Sequence, residues 1–272
     1  MPASLEQIVA ATRQRVVESR RTADLRELEQ RAQEHNPRGF RRALEQKSGT
    51  GVAVIAELKK ASPSRGLIRA DFDPKNLARE LEGAGAAALS VLTDEEFFHG
   101  SLQNLVIASA ATKLPCLRKD FIVDEFQVLE AKAYRADAIL LIVAALSQAE
   151  LVGLAMYSHD CDLDVLCEVH DQEELQRALD AGCNLIGVNS RDLRTFKVDL
   201  ETAFRLAQLI PKNVLRVAES GINTGADIAR LRAAGYQAFL IGESLMKAES
   251  PGEALRSLMA EAERERLLTA RH

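Results

Sequence analysis

Acidic and basic residues stand close together at the end of an apolar stretch near residue 55. The segment AVIAELKKASPSRG runs from Ala53 to Gly66, and Glu57 and Lys59 follow directly on small and apolar residues. Side chains of a β-strand alternate between its two faces, so Glu57 and Lys59 share one face with Ile55. A carboxylate and an ammonium at the end of a buried strand can transfer protons and hold an anion. A strand end that runs out into solvent would explain the same charges.

Further short apolar segments end in polar residues in the same way. Each of these residues shares its strand face with an apolar residue or a glycine two or four positions earlier. General acids, general bases and groups that stabilise a developing charge are drawn from these residue types. A purely structural ring of ion pairs is the alternative. The residues are Lys119 in PCLRKDF, Glu168 in DVLCEVH, Asn189 and Arg191 in IGVNSRDL, and Glu219 in RVAESGI.

The elements that would position these residues repeat along the chain. A helical pattern ends in Gly or a small residue, and a short apolar segment closed by a polar residue follows, as in QRALDAGCNLIGVNS. This alternation predicts parallel strands covered by helices. Eight such units predict one (β/α)8 barrel. A doubly wound open sheet is less consistent with the sequence, because no glycine-rich fingerprint follows the first strand.

The predicted strands span residues 52–59, 88–93, 115–119, 138–143, 164–169, 185–189, 215–219 and 238–242. The predicted helices between and after them span about residues 73–84, 101–112, 124–135, 147–158, 171–181, 199–209, 225–234 and 252–268. Before the first strand, Leu5, Ile8 and Val16 belong to an amphipathic stripe. We therefore predict a helical extension, residues 1–48, packed on a barrel of residues 49–272.

Two loops of the predicted barrel favour an anion site. The carboxyl ends of the strands meet at one mouth, where the loops after the seventh and eighth strands commonly hold phosphate. Here these loops read ESGIN and IGESLMKA, and Gly221 and Gly242 would let backbone N–H groups approach an anion closely. The hydroxyl groups of Ser62 and Ser220 could donate to the same anion. A glycine after a strand can also be an ordinary turn residue.

Composition excludes some classes of function. The net charge of −5 argues against a surface for nucleic acid. No window approaches the roughly 20 apolar residues of a membrane span, and the N-terminus lacks an apolar signal core. We therefore expect a cytoplasmic protein with no membrane partner. The four cysteines have no metal-ligand spacing, so we expect reduced thiols and no metal site; they are Cys116, Cys161, Cys167 and Cys183.

Taken together, the motifs resemble those of indole-3-glycerol-phosphate synthase. Their order and spacing are similar to that family's from about residue 50 to residue 247, and the N-terminal extension is similar too. The resemblance implies closure of 1-(2-carboxyphenylamino)-1-deoxyribulose 5-phosphate to indole-3-glycerol phosphate in tryptophan biosynthesis, with loss of carbon dioxide and water. It implies no cofactor, a small substrate carrying phosphate and carboxylate, and a monomer or weak homodimer. The motifs are IAELKKASPSRG, LSVLTDEEFFHGS, LRKDFIVDEFQV, LLIVAAL, CEVH, IGVNSRDL, VAESGI and FLIGESLM.

The resemblance also implies roles for individual residues. Lys119 would be the general acid that protonates the ketone oxygen during ring closure. Lys59 would bind the substrate carboxylate and is a second candidate proton donor, for the dehydration. Glu168 would be the general base, assisted by Glu57. The remaining residues would be Asn189, Arg191 and Glu219 for orientation, Phe98 and Phe121 as apolar walls, and Ser62, Ser220, Gly221, Gly242 and the backbone of Glu243 for phosphate.

Two other functions are compatible with these residues. A phosphate-binding aldolase of the same fold would form a Schiff base at Lys119 or Lys59. A barrel that serves only as a scaffold would carry the same strand ends without turnover. Two roles stay open: Arg65 could steer anions or lie at the surface, and His170 shares a strand face with Glu168, where a structural role is favoured.

Overall fold

The computed structural model describes residues 3–192 and 197–269, and eight parallel strands form a closed barrel at its centre. Each strand pairs with the next along the chain, and the first closes the barrel by pairing with the last. The predicted (β/α)8 barrel is confirmed, and every observed strand end lies within one residue of its predicted position. The strands are β1 Ala53–Leu58, β2 Ala88–Leu92, β3 Cys116–Lys119, β4 Ala138–Ile142, β5 Asp164–Val169, β6 Leu185–Asn189, β7 Leu215–Glu219 and β8 Ala238–Ile241.

Helices precede the barrel and connect its strands. In chain order they are α1 Leu5–Thr22, α2 Leu25–Glu34, α3 Phe40–Thr50, α4 Pro74–Gly83, α5 Glu95–Phe98, α6 Leu102–Ala111, α7 Glu125–Ala133, α8 Gln148–Asp160, α9 Gln172–Asp180, α10 Glu201–Ala207, α11 Gly225–Ala233, α12 Glu243–Lys247 and α13 Pro251–Thr269. The short helices α5 and α12, and a hairpin of Ala61–Ser62 with Gly66–Leu67, were not predicted. None of the helices in the described ranges is long and apolar enough to cross a membrane.

Many of these helices begin where the sequence offers a capping side chain. An Asp, Ser or Thr just before the first turn accepts a hydrogen bond from a backbone N–H that has no partner within the helix. Within the barrel, each cap also fixes where a loop at the mouth ends and a helix starts. The capping residues are Ser4, Asp24, Asp73, Asp94, Ser101, Asp124, Ser147, Asp171 and Thr224.

Alternation along each strand produces two separate apolar cores. On β1, Ala53 and Ile55 belong to the cluster inside the barrel, whereas Val54 and Ala56 belong to the cluster between strands and helices. Helix α3 closes the amino end of the barrel, because its Phe40 is fully buried against the interior cluster. That cluster contains the first residues of several strands, including Ala88, Ala138, Leu185, Leu215 and Ala238. Charged inward-facing residues are therefore concentrated at the opposite, carboxyl end.

A buried aspartate joins the N-terminal helices to the barrel. Asp137, just before β4, accepts hydrogen bonds from the backbone N–H and the guanidinium of Arg38 and from the backbone N–H of Cys116. His35 lies 3.4 Å from the same carboxylate. Burial alone would raise the pKa of Asp137, but His35 and Arg38 outweigh it and lower the pKa. The carboxylate is therefore ionised when the protein is folded and depends on these partners.

The prediction of four reduced cysteines is wrong for one pair. Cys167 of β5 and Cys183 form a disulfide across 6.5 Å between Cα atoms, while Cys116 and Cys161 are free. The reason lies in the barrel: Cys167 is opposite Ile186 on the neighbouring strand β6, and Cys183 comes just before that strand. A separation of 16 residues in the sequence does not reveal this proximity.

The contact between Arg38 and Asp137 yields a prediction about stability. Arg38→Leu leaves a buried carboxylate without its main cation and should lower the free energy of unfolding by about 3 kcal/mol. Arg26→Leu, at an exposed position of α2, is the matched control and should change it by less than about 0.5 kcal/mol. Urea unfolding followed by circular dichroism measures both values. Equal losses in the two variants would show that this contact does not anchor the extension.

Candidate active site

A cavity of about 900 Å³ lies at the carboxyl end of the barrel. Its size is in the range of cavities that enclose small organic ligands. Every residue that the sequence suggested for catalysis or binding lines this one cavity. These residues are Glu57, Lys59, Ser62, Phe98, Lys119, Phe121, Glu168, Asn189, Arg191, Glu219, Ser220, Gly221, Gly242 and Glu243.

Lys119 is the centre of the charged part of the cavity. Its Nζ atom lies 2.8 Å from Oε2 of Glu168 and 3.4 Å from Oε2 of Glu219. Glu57, Lys119, Glu168 and Glu219 come from β1, β3, β5 and β7, and each stands two residues after an apolar residue of the interior core. Alternate strands of such a barrel contribute side chains to the same layer. The uppermost layer of the odd-numbered strands is therefore charged.

The charges in this layer set one another's protonation. Burial opposes the charge on Lys119, but the carboxylates of Glu168, Glu219 and Glu57 outweigh it and raise the pKa of the lysine. Burial would likewise raise the pKa of Glu168, but Lys119 and His170 overcome that effect and lower it. Glu219 is different: burial and repulsion from Glu168 exceed the attraction of Lys119 and raise its pKa to about 8. At neutral pH the group thus contains an ammonium, the carboxylate of Glu168 and a protonated Glu219.

Two glycines, one on β6 and one just after β8, make room for the glutamates. A Cβ atom at Gly187 of β6 would collide with Oε1 of Glu219. A Cβ atom at Gly242, directly after β8, would collide with the side chain of Glu57. The sequence suggested only that Gly242 lets a backbone N–H group approach an anion. The structure shows that the absence of a side chain at Gly242 also leaves space for the carboxylate of Glu57.

Lys59 forms a second ion pair beside the first. Its Nζ atom is 2.6 Å from Oε1 of Glu57. Its side chain is 15% exposed, compared with 6% for Glu57. The ammonium therefore stands closer to the open side of the cavity, where a ligand carboxylate can reach it.

The segments after β1, β6 and β8 hold a second cluster of charges, centred on the carboxylate of Glu243. Its Oε1 lies 2.6 Å from Nζ of Lys247 and 3.2 Å from Nε of Arg65, and its Oε2 lies 3.6 Å from Nη2 of Arg191. Burial would raise the pKa of Glu243, but Lys247 and Arg65 outweigh it and lower the pKa. The sequence suggested a role for the backbone of Glu243 only. Three cations thus already surround a negative charge at the predicted phosphate end.

Lys247 was missed by the sequence reasoning. It lies four residues after Glu243 on α12. A helix of only five residues is too short to be predicted from hydrophobic periodicity, so the sequence did not indicate that Lys247 and Glu243 are neighbours. Arg65, whose role was left open, lines the cavity as well.

Apolar side chains form another wall. The rings of Phe98, from α5, and Phe121, after β3, have centroids 6.2 Å apart and are tilted by 41°. Leu5 and Ile8 of α1 also line the cavity. The amphipathic stripe of α1 was visible in the sequence, but nothing in it indicated that the stripe borders the site.

Arg15 attaches α1 to this end of the barrel. Its Nη2 atom lies 3.1 Å from Oδ2 of Asp94 and 3.8 Å from Oδ1 of Asp120. Burial raises the pKa of Asp94, and repulsion from Asp120 raises it further. The guanidinium of Arg15 lowers the pKa again, but it offsets only part of the rise. Asp94 caps the helix that carries Phe98, and Asp120 lies between Lys119 and Phe121. The extension is thereby tied to the segments that present the aromatic wall and the central lysine.

Comparison with known proteins identifies close relatives over nearly the whole chain. The family described as "Indole-3-glycerol phosphate synthase" matches residues 5–258. The protein of that name from Koribacter versatilis is 59% identical over 259 residues, covering 95% of this chain and 100% of the relative. Its namesake from Acidithiobacillus ferrooxidans is 50% identical over 256 residues, covering 93% and 97%.

Solved structures with low identity share the fold. The thiamine phosphate pyrophosphorylase of Pyrococcus furiosus superposes with a TM-score of 0.60 at 16% identity, covering 79% of this chain and 96% of its own. A lactate oxidase from Pediococcus acidilactici gives a TM-score of 0.61 at 17% identity, with 91% and 89% covered. Such identities carry information about architecture alone.

The cluster around Glu243 leads to a prediction about anion binding. Glu243→Gln removes the negative charge that occupies Arg65 and Lys247, so inorganic phosphate should bind more tightly, by up to about tenfold at low salt. Isothermal titration calorimetry with phosphate measures this change. Glu253→Gln removes an exposed glutamate of α13 that pairs with Arg256 outside the cavity, and phosphate affinity should not change. Unchanged or weaker binding to Glu243→Gln would mean that these cations do not serve an anion.

Proposed function

The chain belongs to the indole-3-glycerol phosphate synthase family, and we propose that the cavity at the carboxyl end of its barrel is the site of that family's reaction. The protein is thus a carboxy-lyase of tryptophan biosynthesis. The substrate is 1-(2-carboxyphenylamino)-1-deoxyribulose 5-phosphate, and the products are indole-3-glycerol phosphate, carbon dioxide and water. The observation that carries the proposal for the site is the buried ammonium of Lys119, 2.8 Å from Glu168 inside the cavity.

The chemical character of the cavity matches the three parts of the substrate. The phosphate would lie at the loops that contain Ser62, Ser220, Gly221 and Gly242, with the cations around Glu243 close by. The carboxylate would meet the ammonium of Lys59, whose side chain is slightly more exposed than that of Lys119. The aryl ring would lie against the Phe98 and Phe121 wall, and Asn189 and Arg191 would orient the chain between the two anions.

Ring closure would use Lys119 as the general acid. The ring carbon that bears the carboxylate attacks the ketone carbon, a carbon–carbon bond forms, and the ketone oxygen takes the proton of Lys119. An ammonium beside a forming alkoxide lowers the barrier both by its charge and by its proton. Carbon dioxide then leaves, and the electron pair of the broken bond returns to the ring.

Dehydration would use an acid and a base in turn. The hydroxyl group leaves as water with a proton from Lys59, and Glu168 removes a proton from the carbon attached to nitrogen, which completes the indole. The charges around Lys119 favour ring closure before proton removal by Glu168. While Lys119 is protonated it weakens Glu168 as a base, and once Lys119 has given up its proton the pKa of Glu168 rises. Glu57 would hold Lys59, and the protonated Glu219 would hold the position of Lys119.

The direction of the Lys119 pKa shift disfavours an aldolase reaction at that lysine. A lysine that forms a Schiff base must lose its proton near neutral pH, which burial or a neighbouring cation achieves by lowering its pKa. The carboxylates around Lys119 raise its pKa instead. A scaffold without activity would not need these buried charges, whose burial is costly.

We further propose that residues 1–48 form a helical extension of a single domain whose barrel spans residues 49–272. The contacts of Arg15 with Asp94 and of Arg38 with Asp137 support this division. We propose a monomer or weak homodimer acting in the cytoplasm, the compartment expected for amino-acid biosynthesis.

Replacing the proton donor tests these roles. Lys119→Met removes the charge and the proton but keeps much of the side-chain length, and turnover should fall by about a hundredfold to ten-thousandfold. Lys59→Met should also raise KM, because Lys59 would hold the substrate carboxylate. Lys75→Met, at an exposed position of α4, is the control and should behave as the parent enzyme does. The assay follows the indole absorbance of the product, and circular dichroism verifies the fold.

Two outcomes of this assay would contradict the proposal in different ways. A parent enzyme that does not produce indole-3-glycerol phosphate and carbon dioxide in equal amounts would contradict the activity itself. Turnover of Lys119→Met within about tenfold of the parent would transfer the role of main acid from Lys119 to Lys59.

A further inference from the structure

His170 lies behind Glu168 and takes no part in the steps above. It follows β5, and its side chain is only 13% exposed. Its Nε2 atom is 3.4 Å from Oε1 of Glu168, and its Nδ1 atom is 2.9 Å from Oε2 of Glu174 on α9. The carboxylate of Glu174 also accepts the backbone N–H of His170, at 2.8 Å. The ring is thus fixed between two carboxylates, one of which belongs to the cavity.

The two oxygens of Glu168 face two different cations. Oε2 faces Nζ of Lys119, and Oε1 faces the imidazole ring of His170. Glu168 itself is buried. A buried carboxylate remains ionised only if cations or hydrogen-bond donors compensate for the lost water.

His170 itself carries a positive charge. Burial would lower its pKa, but Glu168 and Glu174 outweigh that effect and raise the pKa to about 10. These two carboxylates, from β5 and α9, are its ion-pair partners in the described part of the chain, and Lys119 lies beyond Glu168. The imidazolium therefore persists across the neutral range, with both ring nitrogens protonated.

The proposed reaction changes the balance of charge around Glu168. When Lys119 protonates the ketone oxygen it becomes a neutral amine, and one of the two cations on Glu168 disappears. The imidazolium on the other oxygen remains, because it transfers no proton in the reaction. Without that imidazolium, Glu168 would be a buried carboxylate with neutral neighbours and would bind a proton before the step in which it must act as a base.

We propose that His170, held as an imidazolium by Glu174, is a positioning residue that keeps Glu168 ionised and oriented after Lys119 has given up its proton. The inference rests on the proposed function, in particular on Glu168 as the base that completes the indole. His170 does not touch the substrate and acts only through Glu168. The alternative is a structural bridge that links the end of β5 to α9 and has no effect on proton transfer.

The pH dependence of kcat separates these possibilities, since kcat reports groups in the substrate complex. Removing the imidazolium should raise the pKa of Glu168, so the acid limb of the kcat profile should move to higher pH. An opposite charge at this distance typically changes a pKa by about one to three units, so we expect a shift of at least about one unit in His170→Asn. Glu174→Gln should shift the limb in the same direction by less, because the histidine remains but loses the partner that keeps it charged.

An isotope effect on proton removal gives a second readout. With substrate deuterated at the carbon attached to nitrogen, and at a pH between the acid limbs of parent and variant, more of Glu168 already holds a proton in His170→Asn, which slows the step that breaks that bond. The isotope effect on kcat should therefore be larger in His170→Asn than in the parent. Glu173→Gln is the matched control: it removes the neighbouring glutamate in the same helical turn, which is exposed, and should leave the profile and the isotope effect unchanged.

The outcomes distinguish this inference from the proposed function. If the parent forms the product and both His170→Asn and Glu174→Gln keep the parental acid limb and isotope effect, His170 is only a structural bridge and the inference is wrong. A lower Tm alone, without a change in either readout, leads to the same conclusion. If His170→Asn does not fold, Glu174→Gln decides the question. If the parent forms no product, the proposed function itself fails.

Discussion

The charge balance around one buried ammonium determines how this site is built. Lys119 lies between Glu168 and Glu219, while Lys59 pairs with Glu57. Two carboxylates on one ammonium cannot both stay ionised at low cost, so one of them holds a proton. Glu168 has the shorter contact with Lys119 and a second cation in His170, and Glu219 is the protonated member. An acid, a base and a neutral carboxyl group thus arise from one lysine and two glutamates in one layer.

The barrel provides the space and the stability that this group of buried charges requires. The odd-numbered strands supply the charged layer, and Gly187 and Gly242 next to them leave the space that Glu219 and Glu57 occupy. Below the charges lies an apolar interior, closed at the amino end by Phe40 of α3. Burying several charges costs free energy, and the apolar cores on both faces of the strands offset that cost. The same alternation of side chains therefore serves both stability and chemistry.

Much of this could be predicted from the sequence, because period-two alternation assigns Glu57, Lys119, Glu168 and Glu219 to inward faces without any knowledge of distances. The strand ends followed from apolar runs bounded by polar residues. The sequence did not reveal features that form only where segments distant in the sequence come together in the fold. The disulfide of Cys167 with Cys183 and the role of α1 in the cavity wall are of this kind. The carboxylate of Glu243 is a third case, because its partners Arg65 and Arg191 come from two other loops.

This charge balance requires that Glu219 is protonated at neutral pH while Glu168 is ionised. Infrared difference spectroscopy during a pH titration measures this directly, because a protonated carboxyl group has a stretching band that a carboxylate lacks. Such a band is expected in the parent enzyme at neutral pH, lost with a midpoint at about pH 8 and missing from Glu219→Gln. A parent spectrum without the band at neutral pH, or a band that persists unchanged in Glu219→Gln, would contradict it.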